Sequence, residues 1–430
     1  MPLRTFEERR RLESLDRAAL REHQLARFNE LLATILPANH FYAEKLAAFS
    51  PPFDSLDRLA ELPYTYKEEL LAAAQRPEVP YLTYPRERYV RYHQTSGTHG
   101  RPLVVLDTAD DWARWLDYWQ HVYDAGEVVE ADTVFFAFSF GPYIGFWSAM
   151  DAAIARGCLV VPGGGMNTAA RLEMIRTSRA TVLCCTPSYA LHLAETARER
   201  NIDPRSLGIR TVVLAGEPGG SVPAVRRSIE TSWRARVIDH AGASEIGPWG
   251  FGDAAGDGLY ILESDFIAEF LSVKTGQPAH DGELAELVLT SLGRFGLPVI
   301  RYRTGDLVRP RREHHFPRRF AFLEGGIVGR SDDMLIIRGV NIFPSAIDQI
   351  IRGFPEVIEY RVTARSRGPM DVLDVEIEDR LNDPERVADE LRVRLGLKVD
   401  VRTVEIGKLP RFEGKGRRVV DERNEDRGQS

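Results

Sequence analysis

The sequence predicts an α/β protein, with a large N-terminal domain of parallel-type strands and covering helices over residues 1–328 and a small α+β C-terminal domain over residues 329–430. Three observations predict it. A chain of 430 residues exceeds what one hydrophobic core usually organises. Within residues 132–263 the apolar runs TVFFAF, CLVVP, TVLCCT, TVVLAG and ARVIDHAG alternate with helical patterns such as AARLEMIRTS and SYALHLAETARER, the rhythm of parallel strands joined by covering helices. From residue 308 the basic, proline-containing VRPRREHHFPRRF breaks that rhythm, and beyond GIVGRSDDMLIIRGVNIFP short strands alternate with helices around SAIDQIIRGF and DPERVADELRVRLG.

Apolar residues make up 43% of the chain and charged residues 28%, the balance of an ordinary globular protein. Lys plus Arg number 56 against 63 Asp plus Glu, and the net charge of -7 excludes a general attraction to nucleic acid or to an anionic membrane. A phosphate site must therefore be local. The charged N-terminal stretch has no signal-peptide core, and no later run is apolar enough to span a bilayer, so a cytoplasmic location is expected.

Taken in order, residues 7–49 carry apolar positions at helical spacing through LARFNELLATIL and FYAEKLAAF. ELPYTYKEEL reads as a turn entering a short helix, and YVRYHQTSGTHGRPLVVL as a strand, a small-residue loop and a second strand. Cys158, Cys184 and Cys185 lie in apolar runs without metal-ligand spacing and read as core. Loops at the ends of parallel strands are where ligands sit, which makes Gly216, Glu217 and Pro218 and the HAGASE segment of residues 240–245 candidate pocket walls. The polar tail DERNEDRGQS reads as disordered.

The loop of Thr95, Ser96, Gly97, Thr98, His99 and Gly100 combines free backbone N–H groups with hydroxyl donors suited to phosphate oxygens. It is not a Walker loop, because Arg101 and Pro102 follow it. Alone it reads as a plain turn. Its companions come in order: GASEIG with Glu245, RYRTGDL with Asp306, GRSDD with Arg330 and Asp332, and LPRFEGKGRRVVD with Lys415.

Together these strings resemble the adenylate-forming superfamily of acyl-CoA ligases, luciferases and adenylation domains, and within it the phenylacetate-CoA ligase branch. The resemblance spans nearly the whole chain, with FYAEKL, LPYTYKEEL, TPSYALHLAE, PVIRYRTGDL and GRSDDMLIIRGVNIFPS as branch marks. It implies that a carboxylic acid is activated with ATP to an acyl-adenylate, pyrophosphate leaves, and the acyl group passes to the thiol of CoA. It further implies that residues 95–100 hold the triphosphate and that Glu245 binds Mg²⁺, which prefers oxygen ligands. Asp306 then binds ribose, and Arg330, Gly216, Glu217, Pro218 and Asp239 contact the nucleotide. Lys415 bridges substrate carboxylate and α-phosphate, a task suited to a flexible cation. Asp332 is the hinge about which a mobile small domain rotates, withdrawing Lys415. Phe140, Tyr143, Ala215, Ala241 and Gly242 surround the acyl group, which is expected to be aromatic.

Two features depart from the family pattern. Ala241 stands where an aromatic residue usually precedes Gly242, which reshapes the pocket. REHHFPRRFAFLEGG contains no cysteine, so no structural zinc is expected, and adjacent His314 and His315 are poorly placed to chelate. His93 and His99 read either as loop packing or as substrate contacts. An acceptor other than CoA (a carrier-protein thiol or a nitrogen or oxygen nucleophile) stays open, as does a nucleotide-binding protein without catalysis. The family analogy also makes a homodimer an expectation.

Overall fold

The computed structural model describes residues 2–76, 79–95, 102–312, 318–338, 340–367, 370–411 and 418–423. Helices α1 (Phe6–Glu13), α2 (Arg17–Ile35) and α3 (His40–Lys45) fill the region where helical spacing was read, each started by a capping side chain from Thr5, Asp16 or Asn39. On α2, Phe28, Leu31, Leu32 and Ile35 are buried in a cluster with Leu56, Leu59, Leu292 and Ile300. Charge also fastens the N-terminal residues. Arg4 pairs with Asp117 and with Asp265 at 2.8 Å, Arg9 with Asp124 at 2.7 Å, and Glu13 accepts from His121 Nδ1 at 2.7 Å and from Arg318 Nε at 3.0 Å.

Next come α4 (Lys67–Ala73) and the antiparallel pair β1 (Tyr89–Gln94) and β2 (Val104–Thr108), then α5 (Ala109–Ala125), which opens with a Thr108–Asp111 capping box. The α/β alternation follows as β3 (Thr133–Phe136), α6 (Trp147–Arg156), β4 (Leu159–Pro162), α7 (Thr168–Ser178), β5 (Val182–Cys185), α8 (Pro187–Glu199), β6 (Thr211–Leu214), α9 (Pro223–Trp233) and β7 (Arg236–Ala243). Strands β3 to β7 pair in parallel. Strands β5 and β6 are buried at every position, as expected with helices on both faces.

The rest of the large sheet departs from the parallel expectation. Strands β8 (Gly247–Phe251), β9 (Gly258–Ile261), β10 (Phe266–Ser272), β11 (Ala285–Ser291), β12 (Tyr302–Arg311) and β13 (Phe322–Arg330) all pair antiparallel. The reason is local: only residues 244–246 join β7 to β8, too few for a crossover helix. Among the described residues the result is one mixed sheet in the order β10-β11-β12-β13-β9-β8-β7-β6-β5-β3-β4.

Beyond β13 come the hairpin β14 (Leu335–Ile337) and β15 (Val340–Ile342), α10 (Pro344–Ile351), β16 (Val357–Arg367), β17 (Met370–Asp379), α11 (Pro384–Leu395), β18 (Asp400–Thr403) and β19 (Val419–Asp421). The last four strands form a sheet in the order β18-β17-β16-β19. It shares a separate core with the two helices, including Ile347, Ile351, Val362, Ile377, Val387 and Leu391. This is the compact α+β unit expected.

The three cysteines are unpaired and buried, and burial raises the thiol pKa of each, which keeps them protonated core groups. Among the described residues no helix is long and apolar enough to cross a membrane.

Candidate active site

Strands β5, β6 and β7 deliver their C-terminal ends to one side of the sheet, and β7 is where pairing changes from parallel to antiparallel. In open α/β sheets ligands sit outside the carboxyl ends of the parallel strands, which is the side from which β7 turns into β8. Ala215 continues from β6 and hydrogen-bonds Cys185 O through its N–H at 3.3 Å, while Gly216 and Pro218 stand exposed at the lip. Glu217 Oε1 accepts the Ser188 N–H at 2.7 Å, which pins this turn to the first turn of α8. Asp239 is buried; it accepts from Ser221 Oγ at 2.6 Å and from the His240 N–H at 3.0 Å, and burial pushes its acid up to about 6. Ala241 is buried beside it and Gly242 is exposed.

Glu245, just past the end of β7, is 6% exposed and held from three directions. Lys67 Nζ lies 2.9 Å from Oε1, and the Tyr302 hydroxyl donates to the same oxygen at 3.4 Å. The buried Arg294 donates to the backbone carbonyls of Ser244 at 3.2 Å and Glu245 at 2.8 Å. Lys67 reaches this point because Thr65 bridges Tyr302 in parallel, laying the LPYTYKEEL turn along β12 and setting the start of α4 over Glu245. Sequence reasoning named LPYTYKEEL but not its lysine. The signal was the lone cation at the mouth of a short helix, and only the pairing with β12 shows where it points.

Lys67 is 39% exposed, so its pair with Glu245 is screened on one side. Lys67→Met is expected to reduce adenylation about fivefold to tenfold, or ~1 kcal/mol, with Lys67→Arg closer to wild type. Initial rates at saturating and limiting ATP would measure this, and an unchanged rate in Lys67→Met would exclude a role for the pair.

Asp306 lies on β12 directly opposite Arg330 on β13. Arg330 Nη1 lies 3.1 Å from Asp306, while Nε and Nη2 grip the two oxygens of Asp332 at 2.8 and 2.9 Å. One guanidinium thus holds both the acid expected at the ribose and the acid expected at the hinge. Gly305 makes room for it: its φ is +76°, and a Cβ there would lie 2.9 Å from Arg330 Nη2. Tyr302 joins this group to Glu245. Burial, then Glu245, raises its phenol well above the usual value, and Arg330 and Asp306 also act on it.

Thr95 closes the neck of the loop after β1, its N–H donating to Leu103 O at 3.0 Å and its Oγ1 accepting the Leu103 N–H at 3.0 Å. The Gln94 N–H donates to Pro142 O at 2.8 Å, which ties that neck to the aromatic segment carrying Phe140 and Tyr143. Phe140 is half-buried and packs edge-on against Trp147 at 4.7 Å, whereas Tyr143 is exposed. Ser96, Gly97, Thr98, His99, Gly100, His314, His315 and Lys415 lie outside the described residues.

No three His, Cys, Asp or Glu side chains among the described residues gather as a metal cage. Glu245 is a hard oxygen donor of the kind Mg²⁺ prefers, and its one carboxylate would suit an ion whose remaining ligands came from phosphate and water.

The family model described as AMP-binding enzyme matches residues 61–288, and that described as AMP-binding enzyme C-terminal domain matches residues 339–423. The phenylacetate-coenzyme A ligase of Pseudomonas putida is 34% identical over 425 residues, covering 94% of this chain and 94% of that protein. Among solved structures, 2-hydroxyisobutyryl-CoA ligase in the postadenylation state with an acyl-adenylate aligns with a TM-score of 0.91 at 27% identity, covering 99% of this chain and 95% of that one. The same ligase with 2-HIB-AMP and CoA in the thioesterification state gives 0.73 at 28% identity, covering 100% and 97%. This chain therefore superposes better on the postadenylation structure than on the thioesterification one.

Proposed function

The chain belongs to the AMP-binding enzyme family, and from that premise we propose that it is an AMP-forming carboxylate–CoA ligase acting on an aromatic acid of the phenylacetate type. The acid's carboxylate oxygen attacks the α-phosphorus of ATP, the bond to the β-phosphate breaks, and pyrophosphate leaves. The CoA sulfur then attacks the acyl carbonyl, and AMP leaves.

One observation carries this reading: Tyr302 on β12 donates to Glu245 at 3.4 Å, and Asp306 on the same strand pairs with Arg330 at 3.1 Å, so these charged groups gather around one stretch of β12. Attack of one anion on another requires charge neutralisation at the phosphate and a fixed nucleotide. In this reading Glu245 holds Mg²⁺, which offsets triphosphate charge when bound. Asp306 accepts from the ribose hydroxyls, Arg330 orients Asp306, and residues 95–100 wrap the phosphates. The walls formed by residues 215–218 and by Asp239 face the base. Phe140 and Trp147 offer aromatic surface suited to an aryl group.

The test is carboxylate-dependent ATP–pyrophosphate exchange across benzoic, phenylacetic, cinnamic, heteroaromatic and aliphatic acids, followed by CoA thioester formation with the acids that respond. Exchange led by aromatic acids, with thioester formed on adding CoA, is expected. Exchange led by aliphatic acids would overturn the aromatic assignment, and exchange without thioester would overturn CoA as acceptor.

A further inference from the structure

The pocket expected around the acyl group contains a polar atom that the adenylation chemistry does not use. His240 is 9% exposed, and its ring lies 4.1 Å from that of Trp119. Its Nδ1 is 2.8 Å from the carbonyl oxygen of Gly250 on β8. A carbonyl can only accept, so Nδ1 carries the hydrogen and Nε2 presents a bare lone pair. Burial drives the ring pKa down to about 3, which favours the neutral imidazole near pH 7. Trp119 does not satisfy Nε2, because its indole N–H donates to Ser148 Oγ at 2.8 Å.

The surroundings of Nε2 give it a direction. A Cβ on Gly242 would lie 3.2 Å from Nε2, and Gly242 itself is exposed. The backbone at Gly242 is not left-handed, so glycine here serves space rather than conformation, and no side chain at this exposed position covers Nε2. On its other side His240 packs on an aromatic cluster that runs from the buried Trp119 and Phe146 out to the half-buried Phe138, Phe140 and Trp147. Trp119 contacts Phe146 at 6.3 Å, Phe146 contacts Phe138 at 5.4 Å, Phe138 contacts Phe140 at 6.0 Å, and Phe140 meets Trp147. A largely apolar cluster that ends in one fixed acceptor is the usual construction of a selective small-molecule site.

We propose that His240 Nε2 is the specificity-determining acceptor of the acyl pocket, and that the preferred carboxylic acid carries a hydroxyl or amino hydrogen-bond donor on its apolar body. The inference rests on the adenylation reading above and narrows its substrate class. An unsubstituted acid leaves Nε2 desolvated and unpaired, and a site built around a buried polar group discriminates against the ligand that lacks its partner.

The experiment measures kcat/KM for ATP–pyrophosphate exchange with the full-length enzyme on matched acids: benzoate and phenylacetate, their ring-hydroxylated and ring-aminated derivatives at each position, and the methoxy analogues. At least one hydroxy or amino acid is expected to exceed its unsubstituted parent and its methoxy analogue by about tenfold to a hundredfold. In His240→Phe that advantage should fall to within about threefold, while His240→Gln, whose amide oxygen can accept, should retain part of it. A wild-type enzyme that uses unsubstituted or methoxy acids as well as every donor-bearing one overturns the inference, as does an advantage unchanged in His240→Phe. Both results leave adenylation standing, whereas no exchange with any acid would overturn the adenylation reading and this inference together.

Discussion

Lys415→Ala is expected to lower ATP–pyrophosphate exchange about a hundredfold to a thousandfold, ~3 to 4 kcal/mol of barrier, while thioester formation from a supplied acyl-adenylate survives. The asymmetry follows from the proposed charge flow. Adenylation drives a carboxylate against a phosphate and needs a cation between them, whereas thioester formation expels AMP and relieves that crowding. A flexible ammonium with three donors meets the first demand, and the family match, not the local sequence, separates Lys415 from its arginine neighbours. Separate assays of the two half-reactions decide it. Equal loss of both would make Lys415 a structural residue, and loss of transfer alone would reverse the assignment.

Arg294→Ala is expected to destabilise the large domain by about 3 to 5 kcal/mol, read as a fall in denaturant midpoint, because it strands Asp107. The pair is almost wholly enclosed: Arg294 Nη2 lies 2.7 Å from Asp107 Oδ1, with side chains 1% and 0% exposed. The guanidinium also stacks 4.7 Å from the Trp115 ring and holds the carbonyls ahead of β8, so its loss reaches the Glu245 turn too. Burial pushes Asp107 up to about 6 from 3.8 even with Arg294 present. A carboxyl whose pKa is raised by folding binds its proton more tightly in the native state, so the native state gains as pH falls from about 6 towards 4. Arg294 holds that pKa down, so without it Asp107 takes up its proton at higher pH: the variant's deficit should narrow as pH falls towards about 6, below which both proteins gain alike, and Arg294→Met with Asp107→Leu should recover most of the loss. A change below about 1 kcal/mol in Arg294→Ala, or a deficit that widens in acid, would count against this account.

Much of the fold was legible because burial on both faces leaves a plain trace. TVLCCT and TVVLAG read as parallel strands since covering helices forbid polar residues on either side. The antiparallel half was not legible as such, because its direction depends on the three-residue connection after Ala243, which periodicity does not register. At the site, the order of GASEIG, RYRTGDL and GRSDD led to Glu245, Asp306, Arg330 and Asp332, and the pairing of β12 with β13 joins the last three through one guanidinium. Lys67, Tyr302 and Arg294 escaped because their roles arise from segments far apart in the chain. His240 stood in plain view within HAGASE, yet its chemistry depends on which ring nitrogen Gly250 engages, and no sequence pattern carries that.

The ion pairs that fasten α1 also order events during biosynthesis. Arg4, Arg9 and Glu13 leave the ribosome long before Asp265 and Arg318, to which Arg4 and Glu13 are tied, so the first helix cannot complete its docking until most of the large sheet exists. Contacts of such long separation form late, since a large loop must close before they reward it. A segment made before its partners is thus fastened only after them.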